Sequence, residues 1–71
     1  MPLFSNRLKE LRKSKGATQK QVAEAIGFTD RNYRRLEAGN TPYVETLAKL
    51  AEYFNVSTDY LLGLTDCPDR K

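Results

Sequence analysis

One stretch of the sequence, TQKQVAEAIGFTDRNYRRLEAG at residues 18–39, decides the fold. Thr18 is a good helix N-cap, and Gln21 stands three residues later, which is the capping-box arrangement that begins many helices. Gly27 then provides a stop, Thr29 a second N-cap and Gly39 a second stop. The stretch therefore predicts two short helices joined by a tight turn.

The turn consists of Gly27, Phe28 and the cap Thr29. A turn of three or four residues that contains glycine, between two short helices, is typical of the helix-turn-helix motif. Glycine permits the positive φ that such a bend needs. We expect Ala23 to lie where the two helices approach closely. The core between them is predicted to contain Val22, Ile26, Phe28, Tyr33 and Leu36.

Three further helices are predicted around this motif, each from its start signal and its apolar spacing. The first begins with Ser5 as N-cap and ends at Gly16. For the fourth, Tyr43 is a poor cap, and Thr41 as N-cap followed by Pro42 at the first helical position is a plausible substitute. Its apolar stripe repeats with the spacing of one helical face and consists of Leu47, Leu50, Ala51 and Phe54.

The fifth helix is short, with Ser57 as its N-cap and Gly63 as its stop. No segment alternates with the period of two that a strand requires for more than a few residues. We therefore predict an all-α fold, a compact five-helix bundle over residues 5–63 with the helix-turn-helix at its centre. Residues 64–71 are polar and contain a proline, and we expect them to form a frayed C-terminal tail.

The composition excludes several classes of protein. The 71 residues suffice for one small domain, and they include a single cysteine and no histidine. No glycine-rich phosphate loop or catalytic set is present, so we expect no enzyme, no catalytic residues, no metal, no cofactor and no small-molecule substrate. No apolar run has the length of a signal peptide or a membrane span, which predicts a cytoplasmic protein that does not bind membranes.

Charge is divided unevenly along the chain. Residues 1–36 carry nine basic and three acidic side chains, a net +6, whereas residues 37–71 carry three and six, a net −3, and the two halves sum to +3. A basic half beside an acidic half is typical of a protein with one surface that faces a polyanion.

The predicted third helix carries its basic side chains on one face. At about 100° per residue, Arg31, Arg34 and Arg35 lie on one side, whereas Tyr33 and Leu36 lie on the other. Such a helix fits the major groove of DNA, which is roughly 12 Å wide, and arginine is the commonest reader of guanine. A simple solvated face would show the same arginine pattern, so the glycine turn, the paired caps and the basic first helix are needed to favour nucleic acid.

These residues resemble a known family. The stretch quoted above, followed by TPYVETLAKLAEYFNVSTDYLLG, is similar to the Cro/CI-type (xenobiotic-response-element type) helix-turn-helix domain of phage and bacterial repressors. The resemblance covers residues 5–63 and implies a fold of five helices. Its markers are Thr18-Gln19, Ala23, Gly27, Leu36-Glu37, Gly39 and the closing NVSTDYLLG.

The resemblance implies roles for individual residues. The expected base readers are Asp30, Arg31, Asn32 and Arg35. For Asp30 two interpretations remain open, because its carboxylate could accept from cytosine N4 or could simply cap the helix. Arg12 and Glu37 match an ion pair that joins the first helix to the end of the third.

The expected phosphate contacts surround the reading helix. Gln19 matches a position that contacts phosphate and buttresses the recognition helix. Tyr33 replaces a smaller apolar residue of the family, so we expect its hydroxyl to reach the surface and touch a phosphate. The full set of expected phosphate contacts is Thr18, Gln19, Lys20, Thr29, Tyr33, Arg34, Asn40, Thr41 and Tyr43.

The sequence therefore predicts a sequence-specific transcriptional regulator, a repressor that binds double-stranded DNA at an inverted-repeat operator through residues 29–38. We expect a homodimer, with Tyr60, Leu61 and Leu64 as candidate interface residues. The alternative is a protein-interaction module, antitoxin-like or partner-binding, with weak or no specific DNA binding, because surface arginine also suits acidic protein patches.

Overall fold

The computed structural model of the protein describes residues 2–69, and this part of the chain is folded into five α-helices joined by short turns. No strand occurs within it. The predicted all-α class is confirmed. The helices are α1 (Pro2–Lys15), α2 (Gln19–Ala25), α3 (Asp30–Glu37), α4 (Val44–Phe54) and α5 (Thr58–Leu62).

The predicted start of α1 at Ser5 is wrong, because the helix begins at Pro2 and Ser5 is buried inside it. Phe4 and Leu8 are four residues apart and both fully buried. One helical face can carry both side chains into the core only if the helix already includes Phe4. Burial of Phe4 therefore moves the start upstream of the better capping residue.

The predicted start of α4 at Thr41 and Pro42 is also wrong. The helix begins at Val44, and Tyr43 occupies the N-cap position without a capping hydrogen bond from its side chain. Thr41 and Pro42 remain in the loop. Capping preferences contribute only about 1 kcal/mol, so the packing of the buried face of α4 decides where the helix starts.

The core lies between all five helices. α2 packs against α3, α1 packs against α3 and α5, and α4 packs against α5. The predicted stripe of α4 is buried at Leu47, Leu50 and Ala51, whereas Phe54 is half-buried. The buried apolar side chains are Phe4, Leu8, Val22, Ala23, Ile26, Tyr33, Leu36, Leu47, Leu50, Ala51, Val56 and Leu61.

The C-terminal segment 64–68 is attached to the bundle, so the expectation of a frayed tail is wrong there. Arg7 of α1 donates to the backbone carbonyls of Tyr60 and Thr65 and forms an ion pair of 2.7 Å with Asp66. Its guanidinium also lies 4.2 Å from the centre of the Tyr60 ring. Farther along, the backbone N–H of Ser57 donates to the carbonyl of Pro68. Arg70 and Lys71 of the predicted tail lie outside the described residues.

No helix within residues 2–69 combines the length and the apolar character that crossing a membrane requires.

Candidate nucleic-acid interface

The exposed face of α3 carries the basic side chains that the sequence placed there. Arg31, Arg34 and Arg35 are exposed, whereas Tyr33 and Leu36 on the opposite face are buried. The helix begins as predicted, because Thr29 Oγ1 accepts a hydrogen bond of 3.1 Å from the backbone N–H of Asn32. The helix thus presents a strip of guanidinium groups to solvent and is anchored by its other side.

The turn before α3 has the geometry that its sequence predicts. Thr18 and Gln21 form a complete capping box at the start of α2, with hydrogen bonds of 3.1 Å and 2.8 Å. Gly27 has φ of +77°, which a residue with a side chain rarely adopts. The backbone N–H of Phe28 closes the turn by donating to the carbonyl of Ala23 at 2.7 Å. Local chemistry therefore fixes the angle between α2 and α3.

A buried polar network ties α3 to α1 and α2. Arg12 Nε donates to Glu37 Oε2 at 2.7 Å, and Arg12 Nη2 donates to Glu37 Oε1 at 3.2 Å. Gln19 Nε2 donates to the same Oε1 at 3.2 Å. The Glu37 carboxylate at the end of α3 therefore accepts hydrogen bonds from one side chain of α1 and one side chain of α2. The Arg12–Glu37 ion pair is the one that the resemblance implied. The bond from Gln19 agrees with its implied role as a support of the recognition helix.

This network changes the proton affinity of its members. Burial alone would raise the pKa of Glu37, but the hydrogen bonds from Arg12 and Gln19 outweigh it and hold that pKa below its ordinary value. The hydrogen bond to Glu37 raises the pKa of Arg12. Burial raises the pKa of the Tyr33 phenol beside the pair, so that hydroxyl stays neutral. Glu37 and Arg12 are both charged at neutral pH.

The family model described as Helix-turn-helix matches residues 8–61, which include all of α2, the turn and α3. The chain belongs to the Cro/CI-type helix-turn-helix family. Members of this family are DNA-binding regulators rather than enzymes, in agreement with the interpretation of the sequence. The turn described above and the helices on either side of it are the helix-turn-helix itself.

Relatives of this helix-turn-helix chain occur in bacteria and their phages. It is similar to the uncharacterized HTH-type transcriptional regulator YobD of Bacillus subtilis, at 43% identity over 97% of this chain and 62% of that protein. It is 47% identical to the HTH-type transcriptional regulator ImmR of Bacillus subtilis over 84% of this chain and 48% of ImmR. It is 38% identical to the cryptic phage CTXphi transcriptional repressor RstR of Vibrio cholerae over 84% of this chain and 54% of RstR.

The chain spans about half to three-fifths of the length of these curated relatives. Among solved structures, it is similar to the N-terminal DNA binding domain of SinR from Bacillus subtilis, with a TM-score of 0.79 and 26% sequence identity. That similarity covers 87% of this chain and 93% of the SinR chain. The five-helix arrangement around the helix-turn-helix is therefore shared with a DNA-binding domain.

Most of the predicted contact residues are exposed in the structure. Arg31, Asn32 and Arg35 are exposed, and Asp30 is half-buried. Of the expected phosphate contacts, Gln19 is half-buried, and its amide donates to Glu37. Those that are exposed are Thr18, Lys20, Thr29, Arg34, Asn40, Thr41 and Tyr43.

Burial contradicts the predicted roles of two site residues. Tyr33 is fully buried, so the expectation that its hydroxyl reaches a phosphate is wrong. Its ring faces the core, and its hydroxyl lies beside the Arg12–Glu37 pair. Leu61 is also fully buried and cannot form a subunit interface, because α5 inserts this side chain into the core.

Arg34 and Arg7 make contacts that were not predicted from the sequence. Arg34 Nη2 lies 3.1 Å from Asp30 Oδ2, an ion pair between positions four apart on α3 that helical spacing could have revealed. The attachment of Arg7 to Tyr60, Thr65 and Asp66 joins residues more than fifty positions apart. No local signal in the sequence marks that second contact.

Proposed function

We propose that this chain binds double-stranded DNA as a sequence-specific transcriptional regulator, a repressor that occludes a promoter in the bacterial cytoplasm. The observation that carries this proposal is the exposed guanidinium strip of α3, on a helix whose opposite face is buried and whose end is fixed by Arg12 and Gln19. A helix held in this way enters the major groove as a rigid body, with its first turns against the base edges.

The proposed contacts divide into base readers and phosphate contacts. Arg31, Asn32 and Arg35 read bases, because arginine and asparagine pair with guanine and adenine edges in the major groove. The phosphate contacts come from residues that precede and follow α3 in the chain, all exposed except the half-buried Gln19, and from the N-terminal amides of α2, which attract anions. Their side chains set register and affinity without selecting sequence; they are Thr18, Gln19, Lys20, Thr29, Asn40, Thr41 and Tyr43.

We propose that two copies bind as a homodimer across an inverted repeat, with recognition helices in successive major grooves about 34 Å apart. Leu3 and Leu64 are 46% and 74% exposed and belong to the beginning of α1 and the segment after α5. Leu3 lies against Gly63, the residue before Leu64, because a Cβ added at Gly63 would lie 2.3 Å from Leu3 Cδ2. Tyr60 of α5 is half-buried and lies under the guanidinium of Arg7.

The decisive experiment is the selection of bound sequences from random DNA, followed by affinity measurements at several salt concentrations. We expect one inverted-repeat sequence to be enriched and its affinity to fall steeply with salt, because phosphate contacts release counterions. Arg35→Ala should lose the enrichment. Lys49→Ala, which removes an exposed positive charge from α4, is the matched control and should retain it.

The same measurements separate DNA binding from the alternative of a protein-interaction module. A module that binds a partner protein would enrich no sequence, and its weak DNA binding would be equal on all sequences. That result would overturn the proposed function, whereas an enriched sequence without symmetry would overturn only the dimer.

A further inference from the structure

Asp30 and Arg34 form an ion pair on the exposed side of the recognition helix. Arg34 Nη2 lies 3.1 Å from Asp30 Oδ2, and the side chains are 64% and 40% exposed. Side chains of an α-helix point back toward its N-terminus, so the guanidinium of Arg34 lies over the first turn of α3. That turn is the part of a recognition helix that meets base edges.

The two carboxylate oxygens of Asp30 differ in their surroundings. Oδ1 is shielded from solvent and has no hydrogen-bond partner within residues 2–69, whereas Oδ2 faces Arg34. The oxygen on the outer side is therefore already engaged by a cation. Direct reading of cytosine N4 by Asp30 would therefore have to use the same oxygen that faces Arg34, in competition with its guanidinium.

We infer that Asp30 is a positioning residue: it holds the Arg34 guanidinium in the orientation that binds a guanine in the major groove. This inference rests on the proposed function. The planar guanidinium has several donors in a rigid fork, and one contact through Nη2 leaves the others to bind. Guanine O6 and N7 are neutral acceptors that arginine binds in a bidentate manner. Arg34 is thus a base reader in this assignment, and Asp30 acts through it.

The charge of the pair favours a base over a phosphate as the target. The guanidinium and the carboxylate together carry little net charge. Their electrostatic attraction to a phosphate is therefore weaker than that of an unpaired arginine. The gain from the neutral edge of guanine depends mainly on the direction of the donors, which the ion pair restricts. Asp30 therefore lowers general attraction to DNA and increases discrimination between bases.

The test measures base preference for the wild type and for Asp30→Asn, Arg34→Ala, the double variant and Asp30→Glu. Exposed ion pairs contribute little to stability, so these variants are expected to fold. The discrimination ratio is taken at every operator position. Glu52→Gln, which removes an exposed carboxylate from α4, controls for the change in total charge.

We expect Arg34→Ala to reduce discrimination at one guanine position by roughly five- to a hundred-fold, the range of a good bidentate contact. Asp30→Asn should reduce it at the same position while raising affinity for unrelated DNA. The double variant should lose no more than Arg34→Ala alone, because the two residues act as one unit. Asp30→Glu should restore much of the preference, and Glu52→Gln should leave it unchanged.

Two outcomes would overturn this inference while leaving the proposed function intact. If Asp30→Asn alters a different position from Arg34→Ala, Asp30 reads a base itself. If Arg34→Ala weakens all sequences equally, Arg34 contacts phosphate. A wild type that prefers no sequence would instead overturn the proposed function, and this assignment with it.

Discussion

Arg12 of α1 and Glu37 of α3 form a two-point ion pair across the domain, with Nε 2.7 Å from Oε2 and with side chains only 16% and 3% exposed. Gln19 of α2 adds a third hydrogen bond to the same carboxylate. The orientation of the recognition helix therefore depends on the buried Glu37 carboxylate, which binds side chains of α1 and α2. We expect this pair to make the relative placement of the three helices specific, although isolated buried charges are costly.

Removal of the Glu37 carboxylate should destabilise the domain strongly. Glu37→Ala leaves the half-buried Arg12 guanidinium without its carboxylate partner, and loss of a partner costs up to about 3–5 kcal/mol of unfolding free energy when the remaining charge is buried. Replacement of both residues by leucine should cost less than the single change, because no uncompensated charge remains. Chemical denaturation checks both values. Glu45→Ala, at an exposed position of α4, is the control and should change stability by about 0.5 kcal/mol or less.

The lowered pKa of the Glu37 carboxylate indicates how the stability of the domain should depend on pH. The pKa of Glu37 is held below its ordinary value of 4.5 in the folded state, so the unfolded chain binds the proton more tightly. The stabilisation is complete above the unfolded pKa and is lost as the pH falls through the folded pKa. Glu37→Gln should therefore show a flatter decline of unfolding free energy below about pH 4.5 than the wild type. Equal slopes for the two proteins would contradict this.

The C-terminal end of α5 should tolerate a side chain poorly. Gly63 has φ of +82°, and a Cβ there would lie 2.3 Å from Leu3 Cδ2, whereas Gly16 has φ of +72° with no atom within 4 Å of such a Cβ. Gly16→Ala should cost roughly 1–2 kcal/mol for the left-handed backbone alone. Gly63→Ala should cost more, because Leu3 must move as well.

Leu3→Ala separates the cost of the left-handed backbone at position 63 from the cost of the clash with Leu3. In the Gly63→Ala background it removes the clash, so the double variant should be more stable than the sum of the single changes predicts. Thermal and chemical unfolding of the four proteins provide the comparison. If the stability changes of the two single variants simply add in the double variant, the clash with Leu3 is not what makes a side chain at position 63 destabilising.

Base readers and phosphate contacts should respond differently to truncation. Arg31→Ala should lose about 1–3 kcal/mol of binding free energy and relax the preference at one base pair. Lys20→Ala should weaken binding alike on all sequences and reduce the salt slope by about one unit. Affinity measurements on the selected operator and on single-base variants at several salt concentrations separate these patterns. Identical behaviour of both variants would show that this division of contacts is wrong.

Features set by neighbouring residues were predictable from the sequence. The caps at Thr18, Thr29 and Ser57 depend on a side chain and a backbone N–H three residues away, and all three form as expected. The outward strip of α3 follows from helical periodicity in the same way. Gly27 marked the turn because a positive φ leaves few alternatives to glycine.

Features set by packing between distant residues were not predictable. Ser5 has the chemistry of an N-cap, yet burial of Phe4 extends α1 past it. The ring of Tyr33 lies in the core as expected, but its hydroxyl lies beside Glu37 and not at the surface. The attachment of residues 64–68 depends on Arg7 at the other end of the chain. Each of these outcomes needs a partner that helical periodicity does not identify.

The proposed dimer places the apolar surface of Leu3 and Leu64 at the contact between two copies, because burial of exposed apolar area favours association. Sedimentation equilibrium without DNA should show a dimer for the wild type and a shift toward monomer for Leu64→Glu, which would bury a charge at the contact. Val44→Glu is the matched control, since Val44 is 83% exposed at the start of α4. A wild type that is monomeric at high concentration would contradict the dimer, and a dimeric Leu64→Glu would place the contact on another surface.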